Sequence, residues 1–450
     1  MFSISTAYRH HYRETLQLAY PIILGQLSTI IIMITDNIAV GNFSADALAA
    51  AGVAHALYML VVILGMGISF GLTPPVASAA AICDTESCKK LLKHGLILYA
   101  GIGVALYVVI WALSMALPYF KQPPHIVEMA IPFMHLVGFS VIPSMIYFGF
   151  KQFMEGIAHP KDAMYVALIG EVLNAVLNVV LVFGFLGFPR LGLIGSGLAT
   201  LLTRFLMVAI IVYIFMTKKT YQPFRFSLNW DVEQKYFSQL LKIGIPIGLQ
   251  MTFEASCFSA SAVMSGWVAD NGKTLAAHQI ALNIAATTFL IASGLSMAAS
   301  IRTAQQRGLG NTQGMELAGK SAMHLVMAYM SLCALLMVLF RNLLPQLYVD
   351  SPEVEQIAAS LLLVAAIFQL FDGLQVVSMG ILRGLEDVKV PTIITLIAYW
   401  IVGLPLGAFF TFYMGWGGVG IWTGLAIALG AAAIMLSRRF FVLVARQAKG

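Results

Sequence analysis

Four carboxylates stand inside stretches otherwise built from lipid-compatible residues. They are Asp36 in IIIMITDNIAVG, Glu171 in ALIGEVLNAVLNVVLVFG, Glu254 in GLQMTFEASCFSA and Asp372 in AAIFQLFDGLQVVS. An acid at the centre of a bilayer costs on the order of 2.5–3.5 kcal/mol, so a chain keeps one where it faces a water-filled cavity or a partner. The chemistry such residues serve is the movement of ions or charged substrates. A plainer alternative is an acid that only hydrogen-bonds one helix to another, and it accounts for a single site better than for four.

The polar neighbours of these acids fall on helix faces. Glu171, Asn174 and Asn178 recur at i, i+3 and i+7, which aligns them on one side of a helix. Asp36 is about 20 residues into its stretch and Asn178 about 15 into its own, which places both in the outer half of the membrane at about 1.5 Å per residue. One patch containing Asp36, Asn174 and Asn178, with Glu171 nearer the cytoplasm, is therefore expected. A seam of asparagines gluing helices together is the competing reading, but glue rarely needs a charge. Asp36 can exchange a proton for a cationic substrate, and the two asparagines can hydrogen-bond either form.

The second half of the chain repeats the theme with different residues. Gln250, Glu254 and Ser261 share one stripe, Gln279, Asn283 and Thr287 another, and Asp372, Gln375 and Met379 a third. Glu254 and Asp372 both fall near mid-membrane, so with Gln279 and Asn283 they make a hard-oxygen site suited to a monovalent cation. Two adjacent carboxylates repel, so without the cation one of them is driven to keep a proton. Arg204 is the lone basic residue within a span and reads as a structural ion pair or a snorkelling side chain. His55, His135, His278 and His324 read as packing residues, with His278 set slightly apart because it adjoins Gln279.

The elements that hold these residues must be membrane helices. Of 450 residues 60% are hydrophobic and 10% charged, and mean hydropathy is +0.87, whereas soluble domains carry about 25% charged residues. Spanning stretches of about 20 residues recur twelve times, roughly at 15–40, 47–78, 92–117, 127–152, 163–187, 191–216, 243–267, 276–304, 318–342, 355–381, 391–413 and 418–442. The expected class is an all-α polytopic membrane protein with almost no chain left for a soluble domain.

Basic residues orient it. Of 26 Lys and Arg, Lys121, Arg190, Lys273 and Arg341 lie in the loops of one side, Arg204 lies in a span, and the other 21 lie on the opposite side. By the positive-inside rule that opposite side is cytoplasmic, and both termini with it. The net charge of +6 then implies contact with anionic lipid headgroups and not with nucleic acid. The N-terminus has no short apolar core before a small-residue cleavage site, so it reads as a lead into span one. Cys83, Cys88, Cys257 and Cys333 form neither a disulfide framework nor a zinc spacing.

The chain also contains itself twice. Pro21 aligns with Pro246, Gly67-Ile68-Ser69 with Gly294-Leu295-Ser296, Gly156 with Gly384, Lys161 with Lys389 and Gly195 with Gly420, at offsets between 225 and 228. Six spans per copy give both copies one orientation, related by an axis along the membrane normal. The expected division is an N-terminal six-helix lobe over 1–216, a cytoplasmic linker over 217–242 and a C-terminal six-helix lobe over 243–450. Within the linker, NWDVEQKYFSQLLK reads as an amphipathic surface helix.

PIILGQLSTIIIMITDNIAVG, GEVLNAVLNVVLVFG, IGIPIGLQMTFE, LAAHQIALN and FQLFDGLQVV, in that order between about residues 14 and 440, resemble the multidrug and toxic compound extrusion (MATE) family in its NorM-like branch. The resemblance implies two six-helix lobes forming a V around a central cavity. It implies antiport of small amphipathic cationic drugs or dyes against Na+ or H+ by alternating access, by a monomer in the plasma membrane (the inner membrane in a Gram-negative cell). No cofactor is implied beyond that coupling ion. The family's cation site falls on Glu254 and Asp372, where Na+ would bind, and its coupling and substrate roles fall on Asp36, Asn174 and Asn178. The family's sodium pattern often has a tyrosine four residues before the span-ten aspartate, but Phe368 stands there, which removes an oxygen.

Other functions fit less well. A lipid-linked oligosaccharide flippase of the same superfamily would want an arginine-rich cavity for pyrophosphate, and the spans offer only Arg204. A membrane-embedded hydrolase would want HExxH or GxSxG, and ATP-driven transport a GxxxxGK[ST] loop; none occurs. No filter loop or repeated charged ring suggests a channel.

Overall fold

The protein is described by a computed structural model covering residues 6–226 and 232–448, with the backbone alone at residues 6, 7, 29–34 and 37. Twelve long helical segments follow one another among the described residues: α1 Thr6–Phe43, α2 Ala45–Ala81, α3 Thr85–Phe120, α4 Pro124–Gly156, α5 Pro160–Phe183, α6 Leu193–Thr217, α7 Gln234–Gly266, α8 Lys273–Gly308, α9 Thr312–Leu339, α10 Pro352–Gly384, α11 Lys389–Tyr413 and α12 Gly418–Gln447. Ten of these, all but α1 and α7, are long and apolar enough by themselves to cross a membrane. Helices α1 and α7 carry the residues expected for spans one and seven. The protein is therefore an all-helical, multi-pass membrane protein.

Helix ends follow local chemistry. Asp84 accepts a hydrogen bond from the Ser87 N–H at 3.0 Å to start α3, and Asn311 accepts one from the Gly314 N–H at 2.9 Å to start α9. Pro124, Pro160 and Pro352 occupy first turns, where a missing N–H costs nothing. Helix α11 winds more loosely over Ile397–Gly403 and Phe409–Tyr413, on either side of Pro405, which cannot donate its own N–H.

The repeat is written into the turns. Residues with left-handed backbone close the same three connections in each half: Cys83 and Gly310, Ala158 and Glu386, Gly192 and Gly417. Each pair is separated by the same offset as the neighbouring sequence matches. Gly192 (φ 55, ψ −130) and Gly417 (φ 55, ψ −140) hold a conformation open only to glycine, and each launches the last helix of its half.

Packing draws its boundary elsewhere than the repeat does. One compact unit is Leu24–Gly248, and the other joins the chain up to Ile23 to everything from Leu249 onward. The boundaries fall inside α1 and α7, at equivalent positions, because the first turns of each helix pack on different partners from the rest. In the C-terminal unit, Glu14 pairs with Arg302, Tyr12 hydrogen-bonds His324 Nδ1 at 2.9 Å, and Ile23 lies over Gly294. In the N-terminal unit, the Glu233 N–H donates to His94 Nε2 at 2.9 Å, while Lys90 and Lys235 hold the Glu233 carboxyl below its ordinary value.

This corrects the expected surface helix. Asn229, Trp230 and Asp231 lie outside the described residues, and Gln234–Lys242 are the opening turns of α7, continuous through Pro246. Tyr236 and Leu240 are buried there against the His94 ring and Gly95, so the apolar face of this segment is taken up by its own unit. The four cysteines are free thiols.

Candidate functional site

In the N-terminal unit the expected patch assembles. Asn178 Nδ2 donates to Asp36 Oδ1 at 2.5 Å and to Asn174 Oδ1 at 3.0 Å, which ties α1 to α5. Asn174, Asn178 and Glu171 are buried. Asn178 Oδ1 and Glu171 Oε2 are buried without a hydrogen-bond partner, a state that costs free energy unless something else binds there. Arg204, on α6, is half-buried and forms no ion pair among the described residues; its Nη1 donates to Met207 Sδ at 3.4 Å. Its charge is nonetheless felt at Asp36 and at Glu171. Of the two readings for Arg204, a structural ion pair or a snorkelling side chain, the ion pair is not formed among the described residues.

In the C-terminal unit α7 and α10 bring Glu254 and Asp372 within electrostatic reach of each other. Asp372 is buried and, among the described residues, makes no hydrogen bond or ion pair. Glu254 Oε1 accepts from the Tyr399 hydroxyl at 3.3 Å, and the same hydroxyl lies 3.0 Å from Gln375 Oε1. Tyr399 is fully buried in the loosely wound part of α11. Sequence reasoning passed it over because nothing in its spacing sets it apart from the other tyrosines of the chain. It also bears on Phe368, whose ring packs edge-to-face against Trp422 and Phe258: the phenolic oxygen missing at that position is present in the site, delivered by another helix.

The expected partners on α8 stand apart. Gln279 and Asn283 are exposed and, among the described residues, neither is hydrogen-bonded to Glu254 or Asp372; the oxygens linked by hydrogen bonds are those of Glu254, Tyr399 and Gln375, with Asp372 in electrostatic reach. His278 Nδ1 accepts the Trp422 indole N–H at 3.1 Å, which makes it a packing residue as read. Arg383, counted with the cytoplasmic loops in the sequence, is buried at the end of α10 on the Asp372 face and its charge reaches Glu254. Carboxylate, amide and hydroxyl oxygens of this kind suit a hard monovalent cation or a proton.

Comparison with known proteins agrees with this architecture. The MatE family pattern matches twice, over residues 21–180 and 246–409, so its two copies begin on Pro21 and Pro246. A protein of Mesorhizobium japonicum named "Probable multidrug resistance protein NorM" is 34% identical over 96% of this chain and 94% of its own length. One of the same name from Pseudomonas putida is 34% identical over 95% of this chain and 94% of its own. A solved structure described as an outward-facing conformation of a multidrug resistance MATE family transporter superposes with a TM-score of 0.89, at 20% identity, over 98% of this chain and 97% of that one. A family pattern found twice along most of the chain, with relatives of this identity over nearly its full length, places the protein: it belongs to the MatE family, whose members are transporters and not enzymes.

Proposed function

We propose that this protein is a secondary active multidrug efflux transporter. It exports small amphipathic cations by alternating access, in exchange for inward-moving Na+ or H+. It works as a monomer in the plasma membrane, the inner membrane of a Gram-negative cell, with both termini cytoplasmic. The drug-resistance names of its relatives support the substrate class. The observation that carries the coupling is the pair of acids itself: buried Asp372 and half-buried Glu254 within electrostatic reach of each other, with the Tyr399 hydroxyl shared between Glu254 and the Gln375 carbonyl. Two neighbouring carboxylates inside a membrane repel one another, so a cation or a proton is favoured between them. In the N-terminal unit Asp36, held by Asn178, serves as the element where a proton and a cationic substrate compete.

The test is accumulation of ethidium in cells with and without the protein, under imposed Na+ or H+ gradients. Lower accumulation that collapses when one of the two gradients is removed is the expected result. Ethidium accumulation unaffected by the protein under either gradient would overturn the reading.

A further inference from the structure

The N-terminal patch holds two acids and one base, and among the described residues none of the three forms an ion pair; Asp36 is held by Asn178 alone. Glu171 Oε2 is buried without a hydrogen-bond partner. Arg204 donates to the Met207 sulfur, a weak acceptor. That contact also fixes where the guanidinium sits. Gly170, the residue before Glu171, has no Cβ, and Met207 occupies the space one would fill. Helix α6 therefore approaches α5 closely beside Glu171, and Arg204, one turn before Met207, is held there. The charges of Arg204 and Asp36 are both felt at Glu171.

From this geometry, and resting on the reading of Asp36 above, we infer that Glu171 and Arg204 set the charge count of the Asp36 patch, so that it takes one monovalent cation or one proton at a time. An arginine stays protonated in a protein. With both acids ionised the patch is short of one positive charge, which a cationic substrate or a proton supplies. The exchange balances: the incoming cation displaces one proton, the carboxyl O–H bond breaks, and its electron pair stays on the carboxylate.

The other ionisable groups facing the patch leave this count unchanged. On α4, the Tyr147 hydroxyl donates to the Ala163 carbonyl at 3.3 Å and is neutral. Glu155 lies 3.9 Å from Lys151 and the two cancel. Without Glu171 the patch would be neutral and indifferent to cations. Without Arg204 it would be short of two charges, and would bind a cation more tightly while still holding a proton.

The experiment measures ethidium binding to the purified protein, with proton release read by an indicator in weak buffer. The variants are Asp36→Asn, Glu171→Gln, Arg204→Gln and the double Glu171→Gln/Arg204→Gln. A unit charge about 10 Å away at an effective dielectric near 20 is worth about tenfold in affinity. Glu171→Gln should weaken ethidium about tenfold and abolish proton release, and Arg204→Gln should tighten it by a similar factor. The double variant, with the count restored, should return to within about threefold of the parent. Glu171→Asp keeps the charge and should bind as the parent does; if it fails as Glu171→Gln does, the effect is packing and the inference is wrong. If Asp36→Asn weakens binding while both single changes at 171 and 204 leave it alone, the charge count is refuted and the Asp36 reading stands. Parental binding by Asp36→Asn would sink both.

Discussion

Replacing Tyr399 by Phe isolates one oxygen of the C-terminal site. The hydroxyl lies 3.0 Å from Gln375 Oε1 and 3.3 Å from Glu254 Oε1, and its single hydrogen serves one acceptor at a time. A hydrogen bond to a charged group contributes about 1.5–3 kcal/mol, and the longer approach to Glu254 puts the loss near the lower end. About 1.4 kcal/mol is tenfold in an equilibrium constant. The ring itself is retained, with its edge-to-face contact to Phe258, so the fold should survive. In proteoliposomes with an imposed gradient, Tyr399→Phe should raise the half-saturating concentration of the coupling ion about tenfold while the maximal efflux rate changes little. Ethidium efflux with half-saturation unchanged for both Na+ and H+ would show that Tyr399 is a packing residue. The oxygen count assigned to this site would then be wrong.

Glu254→Gln and Asp372→Asn should each abolish gradient-driven efflux but leave expression and membrane insertion intact, because removing a charge from inside the membrane lowers the desolvation cost of folding; parental transport by either purified variant refutes the cation site. Cysteines introduced at Arg446 and in the 217–242 connection should be unreachable by impermeant reagents in intact cells, and labelling of either from outside reverses the orientation. Gly417→Ala should lower thermal stability by about 1–3 kcal/mol, since its φ of 55 and ψ of −140 strain any side chain although nothing lies within 4 Å of the added methyl. An unchanged melting curve in detergent would show that the turn relaxes.

The sequence alone determined the class, the spans, the doubled architecture and the four acids, because each is a one-dimensional signal. Continuous apolar runs must be helical in lipid, since every backbone group has to be satisfied within its own segment. An acid in such a run stands out without reference to anything beyond its neighbours. Spacing along one helix also sufficed for Glu171, Asn174 and Asn178, which share a face whatever else packs on it. Meetings between helices were legible only as shared depth, which grouped Asp36 with Asn178 and Glu254 with Asp372 but could not supply the contacts themselves. Asp36 and Asn178 are 142 positions apart and Glu254 and Tyr399 are 145 apart, and periodicity says which face a residue occupies but not which face of another helix it meets. For the same reason Gln279 and Asn283 were grouped with Glu254 and Asp372, whereas the rotation of α8 leaves both exposed. Tyr399 was invisible because nothing in its spacing marks it, and its contacts to Glu254 and Gln375 come from other helices. The passage of α1 and α7 from one compact unit to the other was hidden too, because a helix carries one continuous sequence pattern while its successive turns pack on different neighbours. Tertiary packing decided these features, since they depend on the relative rotation and depth of helices that close-packed side chains set together.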